Sequence, residues 1–225
     1  MSPPSRFEDA ALRDELLRLG TATLGESGAK PLAGRLRPMW PGARFAGPAW
    51  TVCCAPGDNL AIHVALAQLP ATSVLAVVVP GEQRRGYFGE VLTAAAQARE
   101  AAGLVIDGTV RDLDAIERRR FPVFARGTGL PGATKAGPGT VNTMIVLDGV
   151  VVCPGDWLVG DRDGVVVIPP SVLPACRQLA SERVVREAGY FQRINTGETT
   201  MGLLGLSPAS VELRPAAAPE RACPE

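Results

Sequence analysis

Histidine and lysine are nearly absent from this chain of 225 residues. His63 is the single histidine, and Lys30 and Lys135 are the two lysines. One histidine excludes a zinc site built from three histidines of one chain. A Schiff-base lysine is disfavoured because both lysines lie in segments rich in glycine and proline, not in the apolar pockets where lysine becomes a nucleophile. Carboxylate and water chemistry around a hard cation is what remains.

Net charge and long apolar runs are also missing. Lys plus Arg equals Asp plus Glu at 23 each, so no overall basic charge attracts nucleic acid or an anionic membrane. The longest apolar run, residues 74–79, is far shorter than the roughly 20 residues that cross a bilayer. The N-terminus lacks the charged head and apolar core of a signal peptide. We therefore expect a cytoplasmic protein.

Alternating helix and strand patterns fill the first two thirds of the chain. The pattern predicts helices at 9–19 and 60–69, after Gly89 and at 112–120, with strands at 49–54, 74–79, 104–106 and 121–125. Strands and tight turns follow from residue 141, and a long helix covers about 171–193. These elements predict an α/β fold with a β-rich second layer, in one domain over residues 1–205. We expect residues 206–225 to form a flexible tail, or an arm ordered by a neighbouring subunit.

The stretch from Gly86 to Asp112 carries the candidate site. Its sequence predicts a helix that begins near Glu90, a buried strand, and a polar turn at 107–112. Ligands of layered α/β proteins bind at helix N-termini and beyond the carboxyl ends of strands. Glu90 lies at the first kind of place, and Arg111 and Asp112 lie at the second. We expect these three residues to form a site for a divalent metal ion and a small anion.

Four blocks of this sequence carry a family resemblance: GDNLAIHVAL (57–66), GEVLTAAAQAREAAGLVIDGTVRD (89–112), PVFARG (122–127) and PGDWLVGDRDGVVVIP (154–169). In this order they resemble the class II 4-hydroxy-4-methyl-2-oxoglutarate aldolases, a family that also contains the regulator of ribonuclease E activity A. The resemblance covers roughly residues 10–200. The aldolase signature is an acidic residue, twenty positions and then Arg-Asp, which Glu90 and Arg111-Asp112 match.

The resemblance implies a β/β/α swivelling-domain fold with mixed sheet layers. It also implies a homotrimer or homohexamer with active sites at the subunit interfaces. The implied activity is that of a metal-dependent lyase with Mg²⁺ or Mn²⁺, which cleaves 4-hydroxy-2-oxo dicarboxylic acids to pyruvate and a second keto acid. Oxaloacetate decarboxylase activity is the expected companion.

The same resemblance assigns roles to residues. Asp112 is expected to bind the metal directly and Glu90 to hold a metal-bound water. The backbone amides of Val91 and Leu92 are expected to bind the pyruvate carboxylate, and the guanidinium of Arg111 suits a carboxylate or an enolate oxygen. Glu90 and Arg111 are therefore counted among the substrate-binding residues.

Three further residues are less determined. By resemblance a glutamate from the C-terminal region of a neighbouring subunit assists the proton transfer, and Glu198 is the candidate. His63 is read more readily as a core or inter-subunit residue than as a catalytic one. Lys135 is read either as a solvated side chain or as a contact to a distal carboxylate.

The sequence leaves alternative functions open. One is a non-catalytic regulator of ribonuclease activity, which Asp112 argues against because those regulators commonly lack an acidic residue after the arginine. Another is a lyase or decarboxylase on the same scaffold with a different substrate. A methyltransferase is disfavoured because no glycine-rich nucleotide loop follows the first predicted strand.

Overall fold

A computed structural model describes residues 6–81 and 84–212 of the chain. The helices are α1 (Arg6–Leu19), α2 (Thr21–Gly25), α3 (Leu60–Gln68), α4 (Glu90–Ala98), α5 (Leu113–Arg118), α6 (Leu173–Asn195) and α7 (Thr200–Leu204). The strands are β1 (Lys30–Pro31), β2 (Arg37–Pro38), β3 (Phe45–Cys54), β4 (Val74–Val78), β5 (Gly103–Val110), β6 (Val123–Thr128), β7 (Gly139–Val141), β8 (Ile145–Leu147), β9 (Val150–Val152), β10 (Trp157–Gly160) and β11 (Val165–Ile168).

Four parallel strands form the centre of a nine-stranded sheet, in the order β3, β4, β5 and β6. Antiparallel strands extend it: β10, β11 and β1 beyond β3, and β2 beyond β6, while β7 also pairs with β3. Helices α4 and α5 both begin beyond the carboxyl ends of central strands, α4 after β4 and α5 after β5. The predicted α/β class with mixed sheet layers is confirmed.

Apolar side chains bury both faces of the sheet. One cluster combines the central strands with residues of α3, α4 and α5, among them Ile62, Ala96 and Ile116. A second cluster joins α1, α2 and the start of α6 to β10 and β11. Every residue of β5 is buried, which is the usual environment of a central parallel strand and explains its nearly continuous apolar sequence.

Strand β5 is longer than its apolar run indicates. The sequence predicts a strand at 104–106 followed by a polar turn, but the strand continues to Val110. Pairing with β6 resumes at Thr109 and Val110 after a register shift. The backbone N–H of Tyr87 also donates to the carbonyl of Thr109 at 3.0 Å. These backbone hydrogen bonds keep residues 107–110 in the strand although their sequence is polar. Arg111 is the first residue after the strand.

Other differences lie in the second half of the chain. The glycine-rich stretch 127–140, for which the sequence predicts no helix or strand, includes the end of β6 and the start of β7. Helix α7 was not predicted. Residues 206–212 contain no helix or strand, and the rest of the predicted tail, 213–225, lies outside the described residues.

Internal contacts divide the chain into two compact units, Met1–Val184 and Val185–Glu225. The first unit contains the whole nine-stranded sheet. The second unit contains the C-terminal part of α6 and the whole of α7. The predicted domain boundary at residue 205 stays a prediction. Among the helices of residues 6–81 and 84–212, none has the length and apolar character needed to span a membrane.

Candidate active site

The segment before α4 and the end of β5 are joined by backbone hydrogen bonds. Phe88 forms a parallel bridge with Val110, and the N–H of Arg111 donates to the carbonyl of Phe88 at 2.9 Å. The start of α4 and the Arg111-Asp112 pair are therefore neighbours in space, as their sequence positions predicted.

Asp112 turns its side chain towards α4. Its backbone is left-handed, with φ 61° and ψ 41°, a conformation that Asp and Asn tolerate better than most other residues. Although Asp112 precedes α5, its side chain does not cap that helix. Its Oδ2 atom accepts a hydrogen bond from the N–H of Glu90 at 3.0 Å. The carboxylate thus satisfies an N–H group in the first turn of α4 that has no acceptor inside the helix.

Gly89 makes this approach possible. A β-carbon on Gly89 would overlap Oδ2 of Asp112 and lie 3.1 Å from Cγ of Arg111. The backbone of Gly89 is extended, so the requirement for glycine is one of space and not of conformation.

Glycines also surround the side chain of Arg111. A β-carbon on Gly86 would lie 2.7 Å from Cδ of Arg111, and one on Gly132 would lie 3.7 Å from Nη1. Nε of Arg111 is 3.7 Å from Oδ2 of Asp112. The guanidinium therefore lies in a narrow channel next to the carboxylate, and about half of the side chain is covered, with 44% exposed.

A cavity of about 200 Å³ opens between these residues. It is lined by Asn59, His63, Gly86, Tyr87, Gly89, Val91, Leu92, Arg111, Asp112 and Lys135. We call Gly89, Val91, Leu92, Arg111 and Asp112 the α4–β5 wall, and we call Asn59, His63 and Lys135 the α3–loop wall. Four predicted site residues, Val91, Leu92, Arg111 and Asp112, thus line one cavity.

The first turn of α4 presents hydrogen-bond donors to the cavity. Gly89 offers no side chain to cap the helix, and the first N–H groups of a helix have no acceptor within it. Asp112 accepts from Glu90, whereas for Val91 and Leu92 no acceptor is found among residues 6–81 and 84–212. Two donors at the positive end of a helix dipole suit an anion such as a carboxylate.

Glu90 contributes to the site through its backbone. Its side-chain Oε1 accepts from Nε of Arg119 and pairs with Nη2, both at 3.2 Å. The side chain does not line the cavity. A role for this carboxylate in holding a metal-bound water stays a prediction.

Sequence reasoning missed Asn59 and left His63 undecided. Asn59 is 5% exposed, and its Nδ2 donates to the carbonyl of Tyr87 at 2.8 Å. That bond fixes the orientation of the amide, because a carbonyl can only accept. Oδ1 of Asn59 and Nε2 of His63 are buried without a hydrogen-bond partner in the described part of the chain. The signal for this pair was its spacing, since residues four positions apart share one face of a helix.

The environment of His63 favours the neutral form of its imidazole. Burial lowers the pKa of His63 below its usual value, the positive charge of Lys135 lowers it further, and Asp58 opposes the shift. A neutral imidazole can both donate and accept a hydrogen bond. The α3–loop wall therefore combines an imidazole, a buried amide and the cationic side chain of Lys135.

The residues present suit a hard divalent ion. Asp112 supplies the one carboxylate of the cavity lining, its side chain is 42% exposed, and no cysteine lines the cavity. Within the described residues, no three His, Cys, Asp or Glu side chains cluster as a metal-binding group. Mg²⁺ is commonly held by one or two carboxylates and completes its octahedron with water and substrate. This donor set fits Mg²⁺ or Mn²⁺ better than zinc.

Glu198 belongs to the second compact unit. Its carboxylate is bonded by Nε of Arg193 at 2.6 Å and pairs with Nη2 of the same guanidinium. This hydrogen-bonded arginine holds the pKa of Glu198 below its usual value. The proposed contribution of Glu198 to proton transfer stays a prediction.

Comparisons with known proteins identify relatives of this chain. A family model described as RraA-like, Aldolase/RraA, matches residues 10–167. A protein of Halalkalibacterium halodurans named "Putative 4-hydroxy-4-methyl-2-oxoglutarate aldolase" is 38% identical over 138 residues, which are 61% of this chain and 66% of that protein.

Solved structures share the fold. An uncharacterized protein from Pseudomonas syringae pv. tomato str. DC3000 superposes with a TM-score of 0.78 at 28% identity, covering 92% of this chain and 100% of that chain. Streptomyces coelicolor RraAS2, described as an unusual member of the RNase ES inhibitor RraA protein family, has a TM-score of 0.71 at 26% identity. That alignment covers 86% of this chain and 98% of RraAS2.

Proposed function

This chain belongs to the RraA-like family, and from that premise we propose that it is a divalent-metal-dependent lyase. Its proposed reaction cleaves 4-hydroxy-2-oxo dicarboxylic acids to pyruvate and a second keto acid, with oxaloacetate decarboxylation as a side activity. The observation that carries the proposal is one cavity that combines Asp112, Arg111 and the first-turn amides of α4. The name of the Halalkalibacterium relative points to the same chemistry.

Two groups of the α4–β5 wall bind the part of the substrate that becomes pyruvate. The N–H groups of Val91 and Leu92 receive its carboxylate at the N-terminus of α4. Arg111 donates to the 2-keto oxygen, where negative charge develops as the carbon–carbon bond breaks. Gly86 and Gly132 leave room for the side chain of Arg111 beside the cavity.

Asp112 would hold the cation, with the remaining positions open to water and substrate. When bound, the divalent ion supplies Lewis-acid polarisation of the keto oxygen and charge neutralisation in the transition state. Asp112 keeps its hydrogen bond from Glu90, which orients the carboxylate towards the cavity.

The electron balance of the cleavage follows from the substrate. A base removes the proton of the 4-hydroxyl group, the C3–C4 bond breaks, and C4 leaves as the carbonyl carbon of the second keto acid. The electron pair remains on the pyruvate enolate, which is protonated at C3. Loss of carbon dioxide from oxaloacetate produces the same enolate, so one site serves both reactions.

We propose that the proton transfer depends on a second copy of the chain. In this arrangement Glu198 of a neighbouring subunit acts on a water at the site, in a homotrimer or homohexamer. We expect Glu198→Gln to lose turnover. Mixing this variant with Arg111→Ala subunits should restore turnover. Failure to restore turnover in mixed oligomers would remove Glu198 from the mechanism.

A coupled assay of pyruvate release tests the function. The substrates are 4-hydroxy-4-methyl-2-oxoglutarate and oxaloacetate, with added Mg²⁺ and with excess chelator. We expect turnover that chelator abolishes and Mg²⁺ or Mn²⁺ restores. Turnover that persists in excess chelator would disprove metal dependence.

The second candidate function is regulation of a ribonuclease. It is suggested by the structural similarity between this chain and RraAS2. That function requires no turnover and no intact Asp112. The absence of any turnover with Mg²⁺, together with inhibition of a ribonuclease by an Asp112→Asn variant, would favour it over the lyase.

A further inference from the structure

The α3–loop wall contains two buried polar atoms that have no hydrogen-bond partner in the described part of the chain. They are Oδ1 of Asn59 and Nε2 of His63, and both residues line the cavity. Asn59 is 5% exposed and precedes α3 without capping it, because its side chain donates to the carbonyl of Tyr87 instead. A buried polar atom without a partner costs roughly 1–3 kcal/mol, and a catalytic role is one reason why a protein keeps it.

Among the described residues that line the cavity, His63 is the one suited to take up a proton. Arg111 and Lys135 are cationic, and Asp112 holds the cation in the proposed lyase. The remaining lining residues carry no basic group: Asn59, Gly86, Tyr87, Gly89, Val91 and Leu92. Histidine is also the side chain that most often removes a proton in enzyme reactions.

Burial and two neighbouring charges set the protonation state of His63. Burial lowers its pKa, the charge of Lys135 lowers it further, and Asp58 opposes the shift. The neutral imidazole that this environment favours has a free lone pair on one ring nitrogen. His63 is therefore prepared to accept a proton from a group in the cavity.

Asp58 fixes the loop that carries Lys135. The residue is 2% exposed, and its carboxylate accepts from the N–H of Leu60 at 2.8 Å. It also accepts from the N–H of Ala136 at 2.7 Å and from the hydroxyl of Thr134 at 2.8 Å, on either side of Lys135. Burial disfavours the charge of Asp58, but these donors outweigh burial and hold its pKa well below its usual range.

We propose that His63 is the base that takes the proton of the 4-hydroxyl group in the aldol cleavage. The inference rests on the proposed lyase function and separates its two proton transfers. The hydroxyl proton passes to Nε2 of His63, the C3–C4 bond breaks, C4 becomes a carbonyl carbon, and the electron pair stays on the pyruvate enolate. The imidazolium returns its proton to solvent after the second keto acid leaves. Protonation of the enolate at C3 is the step left to Glu198 of a neighbouring subunit and its water.

Asn59 is a positioning residue for the same step. Residues four positions apart are neighbours on a helix surface, and Oδ1 of Asn59 can only accept a hydrogen bond. An imidazolium donates from both ring nitrogens. The protonated form of His63 therefore provides the donor that Oδ1 of Asn59 lacks.

The test compares two reactions in one sample. 4-Hydroxy-4-methyl-2-oxoglutarate has a 4-hydroxyl group, whereas oxaloacetate has none and needs no such base to lose carbon dioxide. The measured quantity is the ratio of kcat/KM for aldol cleavage to kcat/KM for decarboxylation, both with Mg²⁺. This ratio does not depend on the folded fraction of the protein, so a destabilised variant still gives a valid result.

His63→Gln keeps atoms that form hydrogen bonds but cannot take up a proton. We expect the ratio to fall about 10²- to 10³-fold. A ratio within about 2-fold of the unmodified protein would overturn the inference. Val64→Ala is the matched control, because Val64 is the next residue of α3, is 43% exposed and does not line the cavity. Its ratio should equal that of the unmodified protein.

The positioning role of Asn59 is tested by combination. Asn59→Ala should lower the ratio about 10-fold, because a hydrogen bond to the charged form of His63 is lost. Adding Asn59→Ala to His63→Gln should lower the ratio no further. A further drop equal to that of Asn59→Ala alone would show that Asn59 acts independently of His63.

The pH dependence of the ratio gives a second readout. The charges of Arg111 and Asp112 act on both reactions, so their influence cancels in the ratio, whereas Lys135 and Asp58 act on the pKa of His63. The ratio should fall as the pH drops through this pKa, because the protonated ring accepts no proton. NMR of the single histidine measures the pKa independently. A ratio that stays constant across it would contradict the role of His63 as the base.

Decarboxylation separates failure of the inference from failure of the lyase function. Turnover of both substrates by the unmodified protein, with an unchanged ratio in His63→Gln, would overturn the inference alone. No turnover of either substrate with Mg²⁺ would overturn the lyase function, and the inference with it.

Discussion

The two walls of the cavity are assembled in different ways. The α4–β5 wall comes from one strand–helix–strand segment, and a backbone hydrogen bond from Arg111 to Phe88 joins its parts. The α3–loop wall joins residues that are far apart in the chain through the side chain of Asp58, which bonds to Thr134 76 positions away. In the proposed function the first wall carries the groups for chemistry on a keto acid. Changes to the two walls should therefore have separable effects.

The largest effect should follow loss of the Asp112 charge. Asp112→Asn keeps a side chain that tolerates the left-handed backbone and can still accept from Glu90. We expect turnover of every substrate to fall about 10³-fold, with the free energy of unfolding changed by less than about 1 kcal/mol. Steady-state kinetics and urea unfolding measure the two quantities.

Arg111→Ala should behave in the same way, because the proposed mechanism uses its guanidinium as the donor to the keto oxygen. Arg118→Ala is the control, as an exposed arginine of α5 outside the cavity lining. Near-normal rates in Asp112→Asn or Arg111→Ala would mean that the α4–β5 wall is not the catalytic one.

The next effect concerns the space that Gly89 leaves for Asp112 and Arg111. In Gly89→Ala the added carbon would overlap the carboxylate, so both side chains must move. We expect about 10²-fold lower turnover and a loss of about 1–3 kcal/mol in the free energy of unfolding.

Gly189→Ala is the control for Gly89→Ala. Gly189 lies in α6, and a β-carbon there would meet nothing within 4 Å. Alanine at that position should raise the free energy of unfolding by about 0.5–1 kcal/mol, because glycine weakens helix interiors. Equal behaviour of the two variants would show that close packing at Gly89 does not matter.

A smaller effect, specific to the second wall, is the pH dependence of stability that Asp58 creates. The pKa of its carboxyl is lower in the folded protein than in the unfolded chain, so its ionised form stabilises the fold at neutral pH. That contribution is lost as the pH falls below about 4. Asp58→Asn should cost about 1–3 kcal/mol at pH 7, and the difference should narrow between about pH 5 and pH 2.

Urea unfolding of both proteins over that pH range provides the measurement for Asp58. A difference that stays constant with pH would mean that the stabilisation by Asp58 does not depend on the charge of its carboxylate. An Asp114→Asn variant serves as the control, because Asp114 is exposed on α5.

The smallest expected effect is on the pKa of His63. Because the charge of Lys135 is one cause of its lowered value, Lys135→Ala should raise the pKa of His63. Burial is the larger cause and should keep it below its usual value. A titration followed by NMR is unambiguous, since the chain contains a single histidine. An unchanged pKa would place the Lys135 ammonium away from the imidazole of His63.

The difference between the two walls also explains which parts of the candidate site could be predicted from the sequence. Helix starts and strand ends leave local signals, which predicted that the start of α4 and the Arg111-Asp112 pair lie close together. The parts assigned to Val91 and Leu92 came from the family resemblance. The polar residues that extend β5 to Val110 were misread as a turn, because pairing with β6 is not a local signal. The direction in which a side chain points could not be predicted from the sequence either. The carboxylate of Glu90, for example, pairs with Arg119 and does not line the cavity.

The α3–loop wall could not be predicted because it depends on one buried carboxylate. Asp58 lies just before α3, where a side chain can accept from the first N–H groups of the helix, and its bond from the N–H of Leu60 is of this kind. Its bonds to Thr134 and Ala136 join α3 to a glycine-rich loop without periodicity, so no pattern indicated which loop residue would reach the cavity. Lys135 accordingly stayed undecided until the loop was placed.

The hydrogen bond between the Glu90 amide and Asp112 gives the protein an internal spectroscopic reporter. Any ligand that draws electron density from Oδ2 of Asp112 weakens that bond and moves the nitrogen and proton resonances of Glu90. Occupancy of the site can then be followed residue by residue in a two-dimensional spectrum, without substrate and without turnover. The amide resonance of Glu90 at the start of α4 thereby reports whether a ligand is bound next to Asp112.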